Sequence, residues 1–314
     1  MPSTVDTAVA KFRAVPAPLQ GALYMTAASL GFSVMNIAIR SAAEELDPLQ
    51  IAFFRNFFAL AFMLPWLASV GLSGLKTAHL GLHVWRAVIG LLAMCLWFYS
   101  IALLPLAEAV ALNFTVPMFA TVGAAIFLGE IVRARRWSAT IVGFLGVLII
   151  LRPGFTELTP AMSLPVIAAA FMAISVLIVK RLSSYDQPGA IVFMMNLLLT
   201  PLSLIPALFV WRWPSWTTLG LMLLVGFFAA LSHIAITRAY TKADASAVLP
   251  LDYARLPFIA SLGFLFFGEV PGLWTWVGAA VIAASAIYIA RREAQVARER
   301  EASRAASHAP TARP

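Results

Sequence analysis

Apolar residues run along this chain in stretches of about 20, separated by short polar or proline- and glycine-containing breaks. The stretches fall near residues 18–40, 49–70, 81–103, 107–128, 135–151, 161–179, 189–210, 217–239, 245–267 and 272–290. A helix of about 20 residues rises roughly 30 Å, the thickness of bilayer hydrocarbon. The pattern therefore predicts an all-α membrane protein of ten transmembrane helices. Leu104-Pro105-Leu106 and the break from Gly268 to Pro271 are so short that the helices they join must be antiparallel neighbours.

Composition strengthens this reading. The chain is 61% hydrophobic and only 11% charged, too few polar side chains to cover a water-facing surface. The net charge of +8 sits in short loops and the tail, which points to membrane orientation rather than to nucleic acid. With the N-terminus in the cytoplasm, the inside segments hold Lys11, Arg13, Lys76, Arg86, Arg133, Arg135, Arg136, Lys180, Arg181, Arg238, Lys242, Arg291 and Arg292. The outside loops hold only Arg40, Arg152 and Arg212. Both termini are expected in the cytoplasm, and the chain in the inner (plasma) membrane as a multi-pass protein. Residues 1–17 form a cytoplasmic N-terminal segment and 293–314 a polar cytoplasmic tail. The run Leu19–Ile39 is longer than a signal-peptide core and reads as a retained first helix.

The single cysteine, Cys95, excludes an internal disulfide and reads as a packed apolar residue. No His/Cys cluster has metal-ligand spacing, and neither a phosphate-binding glycine loop nor a Gly-x-Ser-x-Gly elbow occurs. These absences argue against an enzyme and against a catalytic residue, a metal or another cofactor. A non-transporting sensor or assembly protein and a lipid-precursor flippase are the competing classes.

The sequence repeats itself. Asn113 to Pro117, followed by Gly129-Glu130, matches Ala254 to Pro257 followed by Gly268-Glu269. Asn56 and Pro65 match Asn196 and Pro206, and Gly143 matches Gly278. The offset stays near 140 residues, as in Asn56 to Asn196. Five spans in each half is an odd number, so the second half enters the membrane from the opposite side. The expectation is two inverted five-helix repeats, 18–152 and 153–292, the architecture of many secondary transporters.

These paired motifs, with Phe53-Phe54-Arg55, Trp97-Phe98-Tyr99, Arg136-Trp137, Arg152-Pro153 and Asp252-Tyr253-Ala254-Arg255, resemble the EamA family of the drug/metabolite transporter superfamily. The resemblance covers about residues 18–292 and looks closest to members that move S-adenosylmethionine or riboflavin. It implies a secondary, non-ATP carrier of a small organic metabolite working by alternating access. It does not single out the substrate among these or an amino acid.

Charges inside spans are the most informative letters, because each costs roughly 2.5–3.5 kcal/mol at a helix centre. Asp252 and Arg255 stand three residues apart, on one helical face. They are read either as a locking ion pair or as cavity groups for which a polar substrate competes. Arg55 either snorkels to the outer interface or points inward toward a carboxylate or anion. Trp97, Tyr99, Phe114, Tyr253 and Asn113 complete a mostly apolar pocket with few polar groups. Glu108 is a helix-dipole partner or part of an outer gate. Pro117 and Pro257, placed inside their spans, are static kinks or hinges. His233 reads as a hydrogen-bonded packing residue or as a proton relay. Proton coupling through Asp252 or Glu108, facilitated exchange, the direction of flux and a homodimer all stay open.

Overall fold

The computed structural model describes residues 17–127, 134–152, 159–182, 185–242, 252, 254–285 and 287–288. They form α1 (Ala17–Ala42), α2 (Pro48–Val70), α3 (Leu80–Leu103), α4 (Leu106–Asn113), α5 (Val116–Phe127) and α6 (Ala134–Leu151). Then come α7 (Ser163–Leu182), α8 (Pro188–Phe209), α9 (Trp216–Lys242), α10 (Arg255–Phe267) and α11 (Leu273–Ser285). No strand occurs among the described residues.

Six helices are long and apolar enough to cross a membrane. Four shorter apolar helical segments, Leu106–Ala120 (α4 and the start of α5), Ile141–Leu151, Arg255–Phe267 and Leu273–Ser285, fall at the fourth, fifth, ninth and tenth of the predicted stretches. The molecule is inside out relative to a water-soluble protein. Leu265 is 73% exposed and Phe264 61%, whereas Asn56 and Asn196 are 0% and 1% exposed. An apolar exterior around a polar interior fits hydrocarbon as solvent.

Local chemistry explains the helix ends. Asp47 starts α2 by accepting the Leu49 N–H at 2.8 Å, with Pro48 in the first position where a missing N–H costs nothing. Gly268 ends α10 in the left-handed region at φ 67°, and its N–H returns to the carbonyls of Gly263 and Phe264.

Two expectations need correction here. The fourth stretch is not one helix: it breaks at Phe114–Thr115 between α4 and α5. Pro117 is therefore the second residue of α5, and Pro257 the third of α10. Proline in a first turn removes no bond within that helix, so Pro117 does not interrupt α5 nor Pro257 α10. The prolines that do lie within helices are Pro65 of α2 and Pro201 and Pro206 of α8. Arg86, counted above with the inside charges, is buried in α3 at 9% exposure. Its position near a span end made it look like a loop residue.

Helix neighbours follow one rule. α1 packs on α9 as α7 packs on α3, and α2 on α9 as α8 on α3. α10 packs on α1 as α4 and α5 pack on α7, while α2 meets α8 and α4 meets α10. α6 and α11 approach so closely that a Cβ on Gly146 would lie 2.9 Å from the Gly278 carbonyl oxygen. One on Gly278 would lie 2.6 Å from the Gly146 carbonyl oxygen. These pairs keep their pattern when each helix is exchanged for the one at the equivalent place in the other half.

Candidate substrate site

The polar interior is built where α1, α9 and α10 meet. Arg255, the first residue of α10, donates to Asp252 at 2.6 Å, and Ser29 of α1 donates to the same carboxylate oxygen at 3.0 Å. The Arg255 guanidinium lies 4.8 Å from the centre of the Phe32 ring, and Ser33 donates to the Arg255 carbonyl at 3.5 Å. Phe32 in turn meets the His233 ring edge-on at 5.4 Å. An ion pair over an aromatic face is oriented by both charge and ring quadrupole. The Asp252 and Arg255 side chains keep 31% and 17% exposure, so the pair can still be reached.

His233 links this group to a second one on α2 and α8. Arg55 is 4% exposed, which settles its direction: it points inward. Its guanidinium donates to Asn56 Oδ1 at 2.6 Å and Asn196 Oδ1 at 3.4 Å, and lies 2.9 Å from His233 Nε2. Asn56 donates onward to Ser203 at 3.4 Å. Every partner of Arg55 among the described residues is neutral.

The remaining candidates are scattered. Trp97 is 6% exposed in the main core, and Phe114 is buried at the α4–α5 break. Asn113 donates to the Pro165 carbonyl at 3.4 Å and lies 3.5 Å from Met172 Sδ, tying α4 to α7. Tyr99 is not gathered with Asp252; its hydroxyl donates to the Asp47 carboxylate at 2.9 Å, in the α1–α2 connection. Tyr253 lies outside the described residues. Glu108 lines a cavity of about 320 Å³ with Arg152, Met162, Ile259, Gly263 and Trp274.

Two clusters escaped the sequence reading because their members are far apart in the chain. At one end of the bundle Arg40 donates to the carbonyls of Ile101 and Ala102, both at 2.6 Å, and of Leu104 at 3.2 Å. It also stands 3.5 Å from Glu269, whose other oxygen accepts the Leu106 N–H at 2.7 Å. One arginine and one carboxylate thus satisfy the last carbonyls of α3 and the first N–H of α4. The recurring Gly-Glu pair was the only hint. Glu45 similarly caps α9 through the Ser215 N–H and the Thr218 hydroxyl. Hydrogen bonds from Thr218 and Ser215 hold the Glu45 carboxyl below its ordinary range.

At the other end Asp186 accepts from Thr77 at 2.8 Å and pairs with the buried His83 at 2.8 Å. Burial pushes the Asp186 carboxyl up, but the bonds from His83 and Thr77 and the charges of His83 and His79 outweigh it and hold the group below its usual range. No group of three or more His, Cys, Asp or Glu side chains that could hold a metal occurs among the described residues.

The comparisons with known proteins agree with this architecture. A family model described as the EamA-like transporter family matches residues 19–152 and again residues 159–291. The riboflavin transporter of Vibrio cholerae is 39% identical over 286 residues, covering 90% of this chain and 96% of that protein. The S-adenosylmethionine uptake transporter of Rickettsia bellii is 28% identical over 257 residues, covering 82% and 88%. A solved crystal structure at 19% identity has the same fold, with a TM-score of 0.62 over 87% of this chain and 98% of its own. The all-helical bundle, its polar interior and a family match that takes up both halves lead to one conclusion: this chain belongs to the EamA-like transporter family and is a multi-pass membrane transporter, not an enzyme.

Proposed function

We propose that this transporter carries riboflavin across the inner membrane by alternating access. The six long and four shorter apolar helices would serve as ten spans. They would form two inverted five-helix repeats, 18–152 and 153–292, with segments 1–17 and 293–314 in the cytoplasm. The exchangeable pattern of helix neighbours supports this, since two like halves that pack equivalently can rock between two openings.

The observation that carries the substrate is the charge balance of the polar interior. Asp252 is already paired with Arg255, and Arg55 adds a second cation with neutral partners. Such a site suits a neutral planar heterocycle rich in carbonyl acceptors, with a polyol arm for Asp252 and Ser29 to bind. It opposes a sulfonium cation such as S-adenosylmethionine, because like charge in a low-dielectric interior is repulsive. We assign substrate contacts to Asp252, Arg255, Tyr253 and Arg55. Trp97 and Phe114 would supply an apolar wall on the α3–α4 side, with Asn113 as its polar group. We leave Tyr99 to its contact with Asp47. A proton-driven cycle would use Asp252 or Glu108; facilitated exchange would use neither.

Uptake of radiolabelled riboflavin into proteoliposomes tests this, with and without an imposed pH gradient. The expected result is saturable uptake, lost in Asp252→Asn and Arg255→Ala and poorly inhibited by S-adenosylmethionine. Absence of saturable uptake, or equal inhibition by the sulfonium, would contradict it. A response to the gradient that disappears in Glu108→Gln would assign coupling to that residue.

A further inference from the structure

We infer that Arg40 and Glu269 latch the outer mouth of this transporter, and that the charge on Glu108 decides whether the latch is closed. The inference rests on the alternating-access reading above and goes beyond it by naming the residues that hold one mouth shut and the group that releases them.

The latch joins four helix ends. Arg40, near the end of α1, donates to the carbonyls of Ile101, Ala102 and Leu104 at the tip of the α3–α4 hairpin. Glu269, in the α10–α11 link, stands 3.5 Å from Arg40 with one oxygen and accepts the Leu106 N–H with the other at 2.7 Å. Two side chains therefore hold the hairpin tip both to α1 and to the α10–α11 link. They keep 25% and 19% exposure, whereas His83 and Asp186 at the opposite end of the bundle keep 1% and 8%. An ion pair that water can reach contributes little on its own, so a modest change in nearby charge is enough to open it. A fully buried pair is far more costly to break and suits a fixed joint rather than a latch.

Glu108 supplies that charge. It lies in the first turn of α4, two residues after Leu106, and lines the same cavity of about 320 Å³ as Glu269. It has no hydrogen-bond or ion-pair partner among the described residues. Ionised, it sets a second negative charge against Glu269, and like charges in a half-buried site repel. Protonated, it leaves Glu269 free to hold Arg40 and Leu106. The other charged group lining the cavity is Arg152, held 5.0 Å from the centre of the Trp274 ring. α10, α11 and the turn before α7 bring only uncharged groups there, among them Ile259, Thr275 and Met162. Protonation of Glu269 itself would release the tip at low pH, so the direction of the response separates the two carboxylates. In sequence, Lys180 and Glu130 stand near the 140-residue offset from Arg40 and Glu269, but Val248 stands where Glu108 would recur. The charge control belongs to one mouth only.

Spin labels at Leu103 and Val270, both exposed and on opposite sides of the latch, report the opening as a distance. They are measured in a Cys95→Ala background in lipid nanodiscs without substrate, from about pH 4 to about pH 8, a range that includes the ordinary glutamate value. In otherwise wild-type protein the longer-distance population should grow severalfold as pH rises. Glu108→Gln should stay at the short distance at every pH, and Arg40→Gln at the long one. Glu269→Gln keeps the bond to Leu106 and loses the charge that Glu108 opposes, so it should open partly and lose the pH response. It also serves should Arg40→Gln fail to fold. A wild type that ignores pH or opens toward acid, or a response that persists in Glu108→Gln, would overturn the inference. Opening in Arg40→Gln alone would then leave alternating access standing. A single distance in every variant at every pH would overturn both. The riboflavin assignment is decided separately, by uptake.

Discussion

Helix α1 packs on α9 and α10, and α7 packs on α3 and the α4–α5 pair in the same arrangement, but the two interfaces are made of different residues. On α1 the contact is formed by Ser29, Phe32 and Ser33. At the 140-residue offset α7 offers Ala169, Met172 and Ala173. Opposite them, Asp252 and Arg255 stand where the first half has Leu112 and Thr115. Arg255 lies over Phe32; the corresponding contact in the first half is the Asn113 amide beside Met172. Backbone packing needs only small residues and matching ridges, and both interfaces supply them. A substrate is not symmetric, so the chemistry that binds it can sit on one side of a symmetric frame.

The strongest way to break the comparison is at its shared element. Gly146→Leu at the α6–α11 contact would push a side chain against backbone that cannot rotate away. The expected outcome is loss of monodisperse protein in size-exclusion chromatography, and Gly278→Leu should do the same. Next in size is the clasp at one bundle end. Arg40→Ala frees three carbonyls and Glu269 together. The modification rate of a cysteine placed at Gly263, in a Cys95→Ala background, should rise severalfold as that end loosens.

Asp186→Asn should have a smaller effect. A charge-assisted bond is worth about 1.5–3 kcal/mol, and about 1 kcal/mol shifts Tm by roughly 2–4 °C in domains of 150–250 residues. We therefore expect Tm to fall by several degrees at pH 7. The Asp186 carboxyl is held below its ordinary range, so its stabilisation is present above that range and is lost as pH falls through the folded-state value. Melting curves of the two proteins should converge below about pH 4, near the ordinary aspartate value. Smallest of all, Ser33→Ala makes α1 resemble α7 at this place and removes the long bond to the Arg255 carbonyl together with the local bond to the Ser29 carbonyl within α1. Riboflavin KM should change less than about twofold, the range of a weak neutral hydrogen bond.

The apolar stretches and their repetition were legible because membrane thickness fixes their length and the two halves are similar in sequence. The break at Phe114–Thr115 was not. A proline in a first turn and a proline inside a helix look alike in a run of apolar letters, and only backbone geometry separates Pro117 and Pro257 from Pro65 and Pro206. Arg55 and Arg86 show the same limit for charge. A long side chain near a span end can reach water or turn inward, and neighbours far along the chain decide which. Asn196 and His233 hold Arg55, and Ile191 accepts from Arg86 at 3.4 Å. The Asp252–Arg255 pair was visible from spacing alone, since three residues along a helix bring side chains together. Its seat on Ser29 and Phe32, more than 200 positions earlier in the chain, was not.

The central claim is that binding chemistry belongs to the α1–α9–α10 interface and not to its counterpart. Equilibrium titration with riboflavin, read by its own fluorescence in purified protein, tests it most directly on Arg255→Ala beside Thr115→Ala. Truncating one partner of a hydrogen-bonded charge pair costs about 2–5 kcal/mol, so Arg255→Ala should weaken binding by roughly thirtyfold or more. Thr115→Ala should leave it within about twofold, the usual scale for a change distant from the ligand. Equal loss in both variants, or loss in Thr115→Ala alone, would contradict the claim.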